Sequence, residues 1–260
     1  MSSELPIGFF DSGVGGISVL KEHIALMPNE NYLYYCDSLH APYGIKEHSL
    51  VMELTLTACK TIIEQGVKAL VVACNTATSV AINRLREIYE TADHFIPIIG
   101  IEPALKPAVH CKTHPKIVVL ATPMTLSEKK FAHLMECYQE EGTVITIGAP
   151  KLVEFIENGD TNSKELHAYI KSLFPKELLF HLDAVVLGCT HFPLAKEAIA
   201  AVLPKNVTIF DGARGTAKET KRRLEALSLL SANDTKGVIS FQNSSNDQKI
   251  VERCKAFLKN

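Results

Sequence analysis

The chain has no Cys-x-x-Cys pair, no long uninterrupted apolar run and no surplus of charge of either sign. Each absence removes a class of protein. With 27 basic against 29 acidic side chains, the formal net charge is −2, too balanced for electrostatic capture of nucleic acid or an anionic membrane surface. No stretch approaches the ~18 apolar residues that a membrane helix needs. The first ten residues lack a basic region followed by an apolar one, so no signal peptide is expected. Seven cysteines, an odd number in 260 residues, do not fit a small secreted disulfide scaffold. The expectation is a soluble protein of the reducing cytoplasm. Apolar residues at 47% leave ample surface to bury, which excludes a disordered chain.

What is present is a regular alternation. Short apolar runs rich in Val, Ile, Tyr and Phe stand at 7–10, 32–36, 69–74, 98–101, 116–121, 143–147, 184–189, 208–210 and 238–241. Continuous runs of this kind fit strands of a parallel sheet covered on both faces. Amphipathic segments at 47–64, 125–141 and 214–229 carry apolar residues at helical spacing. The polar stretch 242–248 reads as a surface loop before a last helix ending near Leu258. The alternation predicts an open α/β architecture.

An internal repeat predicts two related halves. Residues 68–76 resemble residues 183–191: each is an apolar strand, then a small residue, Cys and two polar residues. Cys74 and Cys189 are 115 residues apart, and a second matched pair of strand ends, Ser12 and Thr122, are 110 apart.

Ligands of open parallel sheets bind beyond the carboxyl ends of the strands. The residues expected there are Asp11 and Ser12, Asp37 and Ser38, Cys74 to Thr76, Thr122 and Thr125, and Cys189 to His191. Small polar groups and two thiols suit a small polar substrate. The turn Asp11-Ser-Gly-Val-Gly-Gly16 lacks both the dinucleotide spacing and the Lys of a phosphate loop. Its glycines fit a tight turn with close helix packing, and its N–H groups could hold a carboxylate. Asp11 could cap the helix or act beside a thiol.

A single Cys at a strand end is most often a small buried hydrophobe. Two at matched positions, each before a helix start that favours thiolate, point instead to chemistry. If the halves face each other, the thiols would flank one pocket and could take a proton from one face of a carbon and return one to the other. Cys36, Cys59, Cys111, Cys137 and Cys254 lack such neighbours and read as structural. His110-Cys111-x-x-His114 is too small a cluster to argue for zinc, and the remaining histidines read as solvated.

The chain resembles the bacterial glutamate racemases of the cofactor-independent aspartate/glutamate racemase superfamily over nearly its whole length. The resemblance rests on residues 10–16, on Asp37-Ser38 with Pro42-Tyr43-Gly44, and on residues 72–77. It continues through residues 100–103, Ala121-Thr122 with Thr125, and residues 187–193. It implies two α/β domains related by a pseudo-twofold with the site in the cleft between them. The first would take 1–97 plus 209–260 and the second 98–208. It implies interconversion of L- and D-glutamate without cofactor or metal, supplying D-glutamate for peptidoglycan, and a possible homodimer. By resemblance Cys189 serves L-glutamate and Cys74 D-glutamate, with Asp11 assisting Cys74 and His191 assisting Cys189. The substrate would be held by Asp11, Ser12, Pro42, Tyr43, Gly44, Asn75, Thr76, Thr122, Thr125, Thr190 and His191. Glu157 matches an auxiliary acid near His191, with Glu154 as the alternative register. Ala121 stands where the family usually has Gly, and Glu154 where Pro is common. An aspartate-preferring relative, or a non-catalytic binding protein on the same scaffold, are the alternatives.

Overall fold

In the computed structural model, which describes residues 2–92 and 95–259, nine strands form two separate parallel sheets. The strands are β1 (Ile7–Asp11), β2 (Tyr32–Cys36), β3 (Ala69–Val72), β4 (Ile98–Gly100), β5 (Lys116–Ala121), β6 (Thr143–Gly148), β7 (Ala184–Leu187), β8 (Thr208–Asp211) and β9 (Ile239–Asn243). The first sheet runs β4-β3-β1-β2-β9 and the second β6-β5-β7-β8. Reversed, the second order reads β8-β7-β5-β6, which is β4-β3-β1-β2 with each number raised by four. Register repeats as well. Ile7 pairs with Ala69 and Phe10 with Val72, while Ile117 pairs with Ala184 and Leu120 with Leu187. Two sheets with the same order and the same central register are what the sequence repeat predicts.

The central strands β1, β3 and β7 are buried along their whole length, as their continuous apolar runs demand. Edge strand β6 has only exposed and partly buried positions, with both its threonines exposed. One apolar cluster runs through both units, joining Phe9, Val71 and Ile99 to Val118, Leu120 and Leu187. The carboxyl ends of the central strands stand over this shared core.

Two expected boundaries shift. Ile98–Gly100, expected in the second unit, pairs with β3 in the first sheet. Thr208–Asp211, cut by the expected boundary at 209, pairs with β7 in the second. Both are short edge strands, and a short apolar run does not reveal its neighbour. The C-terminal segment returns to the first sheet, where β9 pairs with β2. The strand extends through Gln242 and Asn243, which the sequence reading placed in a loop. The single helix expected over 125–141 is two, Pro123–Ser127 and Lys129–Tyr138, separated by extended Glu128. No helix is long and apolar enough to cross a membrane among the described residues.

His23 corrects the reading of the scattered histidines as solvated. It is fully buried, with Nδ1 2.9 Å from the Val19 carbonyl and Nε2 2.9 Å from Thr220 Oγ1. It fastens the helix Ile17–Leu26 to the helix Ala213–Ala226. His94 lies outside the described residues. Of the five thiols read as structural, Cys36, Cys59 and Cys254 are buried, but Cys111 and Cys137 are exposed and pack no core. His110 pairs with Glu141 and with the Lys106 carbonyl. Among the described residues no group of three or more His, Cys, Asp or Glu side chains could hold a metal ion.

Candidate active site

A small cavity opens where the carboxyl ends of the two sheets meet. It is lined by Ser12, Cys74, Asn75 and Thr76 from the first unit, and by Thr122, Cys189, Thr190 and His191 from the second. Pro42, Tyr43, Gly44 and Ile45 form part of its wall, as do Pro150 and Val153. The fold thus brings both cysteines of the repeat to one cavity. Cys74 keeps 5% of its surface accessible and Cys189 7%, so each is buried but not sealed.

Cys74 follows β3 and is the N-cap of the helix Asn75–Tyr89. Its Sγ accepts the Ala77 N–H at 3.4 Å and lies 3.4 Å from Ser12 Oγ. Burial, with the nearby Asp11 charge adding to it, pushes this thiol up to about 12. Asp11 ends β1 beneath the site. Its Oδ1 accepts the Gly13 N–H at 2.9 Å and its Oδ2 accepts the Thr190 hydroxyl at 2.9 Å. Burial raises its pKa to about 6, even though His191 pulls the other way.

The Cys189 side is built differently. Its Sγ lies 3.7 Å from His191 Nδ1, and His191 Nε2 lies 2.5 Å from Glu157 Oε1. Burial disfavours a charged His191, but hydrogen bonds to Cys189 and Glu157 and the charge of Glu157 hold its pKa well above the usual value. Burial likewise opposes ionisation of Glu157. His191, the Val14 N–H and Arg253 outweigh it and hold the carboxyl below its ordinary value. Glu157 rather than Glu154 is the acid here; Glu154, one turn earlier, is exposed.

The glycine-rich turn now has a purpose. Val14 N donates to Glu157 Oε1 at 2.9 Å, so the carboxylate held at this helix start is the protein's own. A Cβ on Gly13 would stand 1.8 Å from that same oxygen. The two units therefore meet closely at Gly13, where a side chain would push the Glu157 carboxylate aside. Gly44 does the same on the other wall, where a Cβ would lie 2.4 Å from the Thr122 Cβ.

Polar contacts lock the remaining residues. Thr76 Oγ1 is 2.9 Å from Thr122 Oγ1 and 3.2 Å from Thr125 Oγ1, a hydroxyl cluster across the two units. Tyr43 donates to Asp37 Oδ2 at 2.6 Å, and His40 Nδ1 donates to Asp37 Oδ1 at 2.8 Å. Asn75 Oδ1 is buried without a hydrogen-bond partner. Of the expected substrate-binding residues, Asp11 and Thr125 lie behind the cavity wall rather than in it. The apolar wall of Ile45, Pro150 and Val153 escaped sequence reasoning. Apolar residues on an amphipathic helix look like core, and nothing local marks them as lining a cavity.

The family model described as Asp/Glu/Hydantoin racemase matches residues 18–220. A glutamate racemase of Clostridium botulinum (strain Alaska E43) is 50% identical over 253 residues, covering 97% of this chain and 96% of that protein. One of Clostridium acetobutylicum is 47% identical, covering 95% and 94%. Among solved structures, the Francisella tularensis glutamate racemase in complex with D-glutamate superposes with a TM-score of 0.83 at 28% identity, covering 99% of this chain and 95% of that one. The Escherichia coli glutamate racemase in complex with L-glutamate and the activator UDP-MurNAc-ala gives 0.81 at 30% identity, covering 98% and 94%. With its paired parallel sheets and a cavity bounded by both units, this chain belongs to the Asp/Glu/hydantoin racemase family and is an amino-acid racemase.

Proposed function

We propose that the chain interconverts L- and D-glutamate by transferring protons through Cys74 and Cys189 without a cofactor, in the cytoplasm, supplying D-glutamate for peptidoglycan. The observation that carries this reading is the arrival of two thiols from equivalent strand ends at one cavity. The α-hydrogen of an amino acid is a very weak acid, so the base must be a thiolate and the departing proton must leave a stabilised carbanion. One thiolate removes the proton from one face, and the opposite thiol delivers a proton to the other. The two sulfurs must therefore hold opposite protonation states. Asp11 beside Cys74 and His191 beside Cys189 suit this exchange, since each has a pKa moved towards or above neutrality.

Substrate binding follows from the same wall. The unpartnered Asn75 Oδ1 suits an ammonium N–H. Hydroxyls of Ser12 and Thr76 and the N–H groups around them suit the carboxylates. A largely enclosed site strengthens these hydrogen bonds and keeps bulk water from the carbanion. Relatives crystallised with D-glutamate and with L-glutamate support glutamate as the substrate.

Incubation in D₂O with either enantiomer, followed by proton NMR and optical rotation, tests the proposal. Deuterium should enter the α-position of the product enantiomer from both directions. A folded preparation that binds glutamate but exchanges no α-hydrogen is a binding protein instead. Faster turnover of aspartate reassigns the substrate.

A further inference from the structure

We propose that Arg253 is a positioning residue for the Cys189 half of the reaction, acting through Glu157; this rests on the two-thiol reading above. The last carbonyls of a helix have no partner within it. In the helix Pro150–Glu157 each finds one. Asn158 N–H donates to Glu154, Asp160 N–H to Phe155 and Gly159 N–H to Ile156. The carbonyl of Glu157 accepts instead from the Arg253 guanidinium. A cation at a helix C-terminus also opposes the negative end of the dipole.

The donor comes from the other unit. Arg253 lies on the helix Gln248–Lys259, which follows β9 of the first sheet and buries Cys254 and Phe257. The clamp is therefore anchored in one unit and holds the residue that orients His191 in the other. The chain turns tightly past it at Gly159, φ +82°, where a Cβ would sit 3.7 Å from Arg253 Nε. With its main chain clamped, Glu157 can hold His191 Nε2 and the Val14 N–H with the same oxygen. His191 in turn meets Cys189. Asp11, which serves the Cys74 side, is held by the Gly13 N–H and the Thr190 hydroxyl, and among the described residues no guanidinium clamps it. Loss of Arg253 should therefore slow one proton transfer and not the other.

The enantiomers are equally stable, so kcat/KM must fall equally in both directions whichever half is slowed. The half is identified by primary isotope effects with α-deuterated L- and D-glutamate. Arg253→Gln should lose roughly tenfold to a hundredfold in kcat/KM. The isotope effect should rise for the enantiomer deprotonated by Cys189 and fall for the other. Arg253→Lys keeps the charge but not the planar fork, and should show the same asymmetry at smaller size. It decides the matter if Arg253→Gln does not fold. Parent-like rates, or a slower enzyme with both isotope effects unchanged, would overturn the proposal and leave Arg253 a plain helix cap. A parent enzyme that fails to racemise glutamate overturns the function itself.

Discussion

The two thiols occupy the same place in two copies of one topology, yet their surroundings are opposite in kind. Cys74 caps a 15-residue helix and stands near a buried carboxyl group. Cys189 precedes a short 3₁₀ turn, Phe192–Ala195, and stands beside a buried imidazole backed by Glu157. The carboxylate side keeps its thiol protonated, with Cys74 pushed up to about 12. The imidazole side favours a cation beside the sulfur. Duplication explains the symmetric placement, and divergence of the neighbours supplies the asymmetry that the proposed two-base reaction requires.

The strongest way to break this comparison is to remove either thiol. Cys74→Ser and Cys189→Ser should each cost about ten-thousandfold in racemisation, because a hydroxyl is a far weaker acid than a thiol. Circular dichroism at the substrate's wavelength reads this directly, and near-normal turnover in either variant would end the two-thiol assignment.

Changing the neighbours sharpens the comparison. Asp11→Asn and His191→Asn should each lose about a hundredfold. Their isotope effects should shift in opposite senses for the two enantiomers. In the parent, kcat/KM should rise with pH through about 6 as Asp11 ionises, and Asp11→Asn should lose that limb. Identical isotope patterns for the two variants would mean that both residues serve one proton transfer.

The smallest effect on turnover lies away from both thiols, in the helix Ile17–Leu26. Burial holds His23 at about 4 against an ordinary 6.5. Its folded-state pKa is depressed, so its stabilising contribution is full above pH 6.5 and is lost as pH falls towards 4. The total is about 3 kcal/mol from the size of the shift. Thermal melts between pH 7 and 4 should show this loss, and His23→Gln should flatten it without changing the isotope pattern at neutral pH. An equally steep acid limb in the variant would place the proton uptake elsewhere.

Much of the fold was legible because its signals are local. Nine apolar runs became nine strands, and the repeat of residues 68–76 in 183–191 became a repeated strand order. The edges were less legible. β4 and β8 are short, and their partners are chosen by packing rather than by their own composition. His23 looked like a surface residue because Thr220, its partner, is 197 positions away. Arg253 carried no local mark either, since its acceptor is a main-chain oxygen on another helix.

The amino-acid sequence by itself determined the parallel α/β class, the duplication, and which two of seven cysteines stand at equivalent strand ends. These follow from apolar continuity and spacing along one stretch of chain. Tertiary structure alone decided that the two sheets share a core, that Glu157 enters the space left by Gly13, and that Asp11 is buried behind the cavity that His191 lines. The physical reason is that burial and the approach of distant groups set the pKa of a side chain. Both depend on what the rest of the chain brings near.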